Sequence, residues 1–178
     1  GIGAVAPVSG FHHAGYDYAG GFCTFNGLMI TAMSLGGRVG ILDFDEHWGN
    51  GTDQIIRHLE QDDRIEHFSQ GKYDHPDGED FLAGLPKLLE RFADCRVVLY
   101  QAGADCHIDD PLGGFLTTEQ IMRRDAIVFS TLRELKVPVA WNLAGGYQAD
   151  FDKVLEIHTN TMRVFAESFY NQGASHAK

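Results

Sequence analysis

The residues best equipped for chemistry lie in one run, 41–52: Ile-Leu-Asp-Phe-Asp-Glu-His-Trp-Gly-Asn-Gly-Thr. It opens as a strand, because Val39, Ile41 and Leu42 are apolar and Val and Ile favour a pleated backbone. It turns acidic where a strand should leave the core. Side chains alternate along an extended chain, so Asp43, Asp45 and His47 share one face while that geometry holds. Two carboxylates and an imidazole converging at a strand end suit a divalent metal of the zinc or iron type. The competing reading is a plain strand end followed by a polar turn at Gly49-Asn50-Gly51.

Other polar or glycine-rich clusters follow apolar runs. His12-His13 come after a short apolar stretch, Ala4 to Val8, broken by Ser9-Gly10. Adjacent histidines point in different directions, so both serve one site only if a loop turns them into it. Solvation is the alternative. Asp105 follows Val97-Val98-Leu99-Tyr100 and precedes the turn-rich loop Asp109 to Gly114. Ala144-Gly145-Gly146-Tyr147 follows a strand expected over 137–143, interrupted early by Pro138.

The elements that must position these residues read as strand–helix units. The glycine-rich approach Gly20 to Asn26 leads into a helix whose Leu28, Met29, Ala32 and Met33 are spaced to face a core, stopped by Gly36-Gly37. A short helix is expected from Asp53 to Leu59, capped by Thr52 or Asp53. A weakly alternating strand covers 64–69 and a loop covers 70–78. Phe81, Leu82, Leu85, Leu88, Leu89 and Phe92 mark an amphipathic helix that Pro86 should delay or kink. Thr117 or Thr118 caps the next helix, and a last one runs from Phe151 to Phe169, with a frayed polar tail beyond it. About five such repeats imply a three-layer α/β/α fold with a mostly parallel sheet in one domain, 1–178. Such sheets hold ligands beyond the carboxyl ends of their strands, where all the clusters above fall.

Composition narrows the partners. The chain has 178 residues, 44% apolar and 22% charged, an ordinary globular balance. A net charge of −11 argues against nucleic acid or an anionic membrane surface and favours cationic partners. There is no apolar run of spanning length and no signal-like opening. Cys23, Cys95 and Cys106 show no C-x-x-C spacing, so reduced thiols in a cytoplasmic protein are expected.

Taken in order, five stretches resemble the histone deacetylase and acetylpolyamine amidohydrolase superfamily, whose fold is arginase-like. They are Gly10-Phe11-His12-His13-Ala14, Gly21-Phe22-Cys23-Thr24-Phe25-Asn26, the run Asp43 to Thr52, Gly103-Ala104-Asp105 with Asp110-Pro111-Leu112-Gly113, and Gly145-Gly146-Tyr147. The resemblance implies a zinc site, with iron(II) as the alternative, at Asp45, His47 and Asp105. It implies His13 as general base, supported by Asn50, and His12 as its neighbour, oriented by Asp43. Tyr147 would donate to a developing oxyanion, and Phe22, with Gly21 beside it, would wall an acyl-lysine tunnel. A monovalent cation, usually potassium, would sit near the backbone of Asp43, Asp45 and His47, with Ser69 a weaker match. The departures are Phe11 inserted after Gly10, Ala144 where many members have glycine, and a short stretch from Thr52 to Gly103.

The function expected is removal of an acyl group from acetyl-lysine or an acetylpolyamine through a metal-activated water. The alternative is a catalytically weak or inactive metal-binding domain that serves assembly. A dimanganese hydrolase of the arginase type shares the fold but needs more acidic ligands. The family usually carries a long segment before the His-His motif. Without it, the first strand becomes an edge, and a homo-oligomer, most simply a two-fold dimer, is expected.

Overall fold

In the computed structural model, which describes residues 2–74 and 77–170, every strand of the sheet is parallel. The strands are β1 (Gly3–Ala6), β2 (Val39–Asp43), β3 (Ile65–Ser69), β4 (Val97–Gly103) and β5 (Val139–Ala144), in the order β1-β5-β4-β2-β3. The helices are α1 (Gly27–Ser34), α2 (Asn50–His58), α3 (Gly78–Leu89), α4 (Thr118–Glu134) and α5 (Phe151–Phe169). The expected three-layer α/β/α architecture holds.

Alternation along the central strands feeds two cores. In β4, Val98, Tyr100 and Ala102 join the larger core with Leu85 of α3, Phe129 of α4 and Phe165 of α5. Leu99 points the other way, with Val39 and Ile41 of β2, into a smaller core with Met29 of α1 and Ile55 of α2. Both faces are covered, so these strands read as continuous apolar runs. The ring of Phe129 meets Tyr100 and Phe165 edge-on, with centroids 5.7 and 5.3 Å apart. Such pairs add about 0.5–1.5 kcal/mol each beyond the area they bury.

Four local expectations change. Helix α2 starts at Asn50, because Thr52 is buried and its hydroxyl accepts a hydrogen bond from Asn26 Nδ2 at 3.0 Å instead of capping. Helix α3 runs through Pro86, capped by the Asp77 carboxylate, with Leu82, Leu85 and Leu89 buried along it. Met33 is 41% exposed, since the stripe of Leu28, Met29 and Ala32 already faces the sheet. The expected loop after β3 contains a 3₁₀ turn at Gln70–Lys72. The expected tail beyond Tyr170 lies outside the described residues. Among the described residues, no helix is long and apolar enough to cross a membrane.

Candidate metal centre

Strand β2 ends at Asp43, so extended alternation does not carry through to His47. Successive side-chain turns do the work. Asp43 Oδ1 accepts the Asp45 N–H at 3.1 Å, and Asp45 Oδ1 accepts the His47 N–H at 3.0 Å. Asp105, just past β4, accepts the Glu46 N–H at 3.1 Å and so joins the two turns. Ligand atoms of Asp45, His47 and Asp105 thereby lie within 4.8 Å of one another, and no other cluster of three or more such residues occurs among the described residues. His47 Nδ1 stands 3.1 Å from Asp45 Oδ1 and 3.0 Å from Asp105 Oδ2.

This donor set fits a divalent metal. Asp45 and Asp105 are buried side by side, an arrangement that demands a positive partner. Burial pushes the Asp105 carboxyl up; the His47 hydrogen bond opposes this, and the nearby Asp45 charge reinforces it. His47 is raised to about 10 by its hydrogen bonds to Asp105 and Asp45. The cluster thus draws in positive charge, and one imidazole nitrogen with two carboxylates suits zinc or iron(II). Gly145 makes room for it: a Cβ there would lie 2.1 Å from Asp105 Cγ.

Asp43, expected to share the metal face, turns instead to His12. Its Oδ2 lies 2.7 Å from His12 Nδ1, while its Oδ1 accepts from Gln101 Nε2 at 2.9 Å. The carboxylate only accepts, so His12 Nδ1 carries a proton. Burial lowers the affinity of His12 for a second proton, but the charge and hydrogen bond of Asp43 outweigh it and raise its pKa to about 9. His12 Nε2 lies 3.6 Å from Asp45 Oδ1.

His13 is turned into the same site, its ring 4.0 Å from that of His12 and 6.1 Å from that of His47. Its Nδ1 lies 2.6 Å from Asn50 Oδ1, at the start of α2. With that oxygen as acceptor, Nδ1 holds the proton and Nε2 keeps a lone pair. The solvated reading of the two histidines therefore fails. The inserted Phe11 packs against the smaller core and leaves both in place. Gly21, at φ +52°, lies against the His13 ring, where a Cβ would approach Cδ2 to 2.3 Å.

Tyr147 closes the group. Its N–H donates to Asp110 Oδ2 at 2.7 Å, and its ring centroid is 6.2 Å from that of His47. Burial, helped by the charges of Asp45 and Asp105, pushes its hydroxyl up to about 12, so it remains a protonated donor. Phe22 lies 6.2 Å from the Tyr147 ring but is 88% exposed, so it stands at the rim and does not form an enclosed wall. Sequence reasoning gave no role to Gln101, which holds Asp43. A polar residue inside an otherwise apolar strand was the available signal. Ser69 pairs in register with Asp43, and its hydroxyl accepts the Gly49 N–H at 2.9 Å.

Comparison with known proteins finds histone deacetylases and acetylpolyamine amidohydrolases among the matches. A model of the histone deacetylase domain matches residues 3–82. An uncharacterized protein of Picosynechococcus is 30% identical over 88% of this chain and 60% of its own length. Histone deacetylase 2 of Arabidopsis thaliana is 30% identical over 85% of this chain and 46% of its own. The crystal structure of an acetylpolyamine aminohydrolase from Burkholderia pseudomallei superposes with a TM-score of 0.73 at 21% identity, over 94% of this chain and 57% of that one. The chain thus spans about half the length of the proteins it matches. In its motifs and sequence matches this chain is similar to histone deacetylases and acetylpolyamine amidohydrolases, and it shares the fold of their solved structures.

Proposed function

We propose that the chain is a metal-dependent amide hydrolase that removes an acyl group from a cationic amine, either an acetyl-lysine side chain or an acetylpolyamine. The observation that carries this reading is the meeting of Asp45, His47 and Asp105 beside His13 and Tyr147. Zinc, or iron(II) in its place, would be held by those three residues and would supply Lewis acidity toward a carbonyl and an acidified water. His13 Nε2 takes a proton from the nucleophile and returns one to the leaving amine. Asn50 fixes the ring that does so. His12, fixed by Asp43, adds positive charge next to Asp45. The Tyr147 hydroxyl donates to the carbonyl oxygen as negative charge builds there. Phe22 and Tyr147 flank the aliphatic stem, and the net charge of −11 favours a cationic substrate. The backbone near Asp43, Asp45 and His47, with Ser69 a weaker match, is the proposed place for a potassium ion.

Tyr147→Phe tests the oxyanion role. Turnover of an acetyl-lysine peptide should fall by roughly 10²–10³-fold, the size of one oxyanion donor, while metal content stays that of the wild type. An unchanged rate would remove Tyr147 from the chemistry.

A second reading, an inactive metal-binding domain that serves assembly, draws on β1. This strand is a sheet edge with Val5 exposed; Pro7 and the exposed Val8 lie just past its end. The Tyr170 hydroxyl donates to the Gly3 carbonyl at 3.1 Å, which covers one acceptor of that edge. A two-fold dimer through β1 is the expected association under either reading. Light scattering that gives a stable monomer at micromolar concentration would rule it out, and inactivity on every acylated amine would favour assembly.

A further inference from the structure

A buried ion pair that the proposed chemistry does not use lies beneath both ligand-bearing turns. Arg124 and Asp125, on α4, are 1% and 0% exposed. Arg124 Nη1 donates to the Gly103 carbonyl at 2.9 Å and reaches Cys106 Sγ at 2.9 Å, so it brackets Asp105 on both sides along the chain. The same guanidinium lies 5.7 Å from the centre of the Phe44 ring, and Phe44 is the residue between Asp43 and Asp45. Asp125 holds it in place: Arg124 Nε donates to Asp125 Oδ1 at 2.8 Å. Asp125 also accepts from the Tyr100 hydroxyl and, at 2.5 Å, from the Thr161 hydroxyl of α5.

Stability alone does not explain such a pair. Two buried charges cost desolvation, and apolar residues of similar volume often serve as well or better. An apolar side chain could not, however, bond the carbonyl at which β4 ends. That end is already packed backbone against backbone, since a Cβ on Gly103 would lie 2.2 Å from the Phe44 carbonyl oxygen. One guanidinium therefore touches the segment that carries Asp45 and the segment that carries Asp105.

We propose that Arg124 is a positioning residue for the metal centre: fixed by Asp125, it sets the spacing between the turn that carries Asp45 and His47 and the turn that carries Asp105. It acts through Gly103, Cys106 and Phe44. The inference rests on the reading of Asp45, His47 and Asp105 as metal ligands.

Cobalt(II) added to the metal-free 178-residue chain provides the probe, with affinity and visible absorption as readouts. Arg124→Lys keeps the charge but lacks the planar fork that bonds Asp125, Gly103 and Cys106 together. It should weaken cobalt(II) binding by about 10-fold or more, as loss of supporting contacts around a metal site does, and alter the absorption spectrum. Leu132→Ala, a truncation in the larger core on the same helix, should destabilise the fold yet keep wild-type affinity and spectrum. Should Arg124→Lys not fold, Cys106→Ala removes one of its contacts and should weaken binding in the same direction. Wild-type affinity in Arg124→Lys, or in Cys106→Ala where that variant decides, overturns the inference while the metal reading stands. So does an equal loss in Leu132→Ala. A wild-type chain that binds no cobalt(II) removes the metal reading itself, and this inference with it.

Discussion

Asp105→Ala is expected to abolish tight zinc binding, and turnover with it. Asp105 is fully buried and offers one of only three protein donors in the cluster. Its removal leaves a carboxylate and an imidazole, fewer than catalytic zinc sites provide. The loss is also structural at short range. The Glu46 N–H loses its bond to Asp105, and His47 Nδ1 loses one of its two carboxylate neighbours, so the second turn loses these ties to the segment just past β4. Metal analysis after dialysis measures the effect, and circular dichroism checks that the fold survives. Full zinc occupancy in the variant would remove Asp105 from the ligand set.

His13→Ala should cut turnover by about 10²–10⁴-fold, the range for a positioned general base, and leave zinc bound. The neighbouring ring cannot take over. His12 has Nδ1 committed to Asp43 at 2.7 Å and Nε2 facing Asp45 at 3.6 Å. His13 alone of the two keeps Nε2 clear of a carboxylate in this arrangement, because its Nδ1 rests on the neutral Asn50 amide. Steady-state rates at saturating substrate, with metal content measured on the same samples, check this. A rate within a few-fold of wild type would exclude His13 as the base.

Much of the fold was legible because a parallel sheet covered on both faces writes its strands as apolar runs, and α5 appeared with its observed bounds because its amphipathic period is uninterrupted. The start of α2 was not. Gly49-Asn50-Gly51 has the composition of a turn, yet Gly51 is needed for close approach: a Cβ there would lie 2.4 Å from the Ala14 carbonyl oxygen. The alternation argument found Asp45 and His47 but also drew in Asp43, because the end of β2 and the side-chain turns after it cannot be seen in a spacing of two. Arg124 left no local signal at all. It sits in a run of polar helix residues, and its partners Gly103 and Cys106 are 21 and 18 residues away.

Acetate release from an acetyl-lysine peptide and from acetylputrescine, measured on the metal-stripped chain before and after zinc is restored, bears most directly on a metal-dependent amide hydrolase. Release should be absent without metal, return with about one zinc per chain, and be missing from Asp105→Ala under both conditions. Equal release with and without metal would contradict the proposed chemistry, as would no release from any acylated amine by the zinc-loaded wild type.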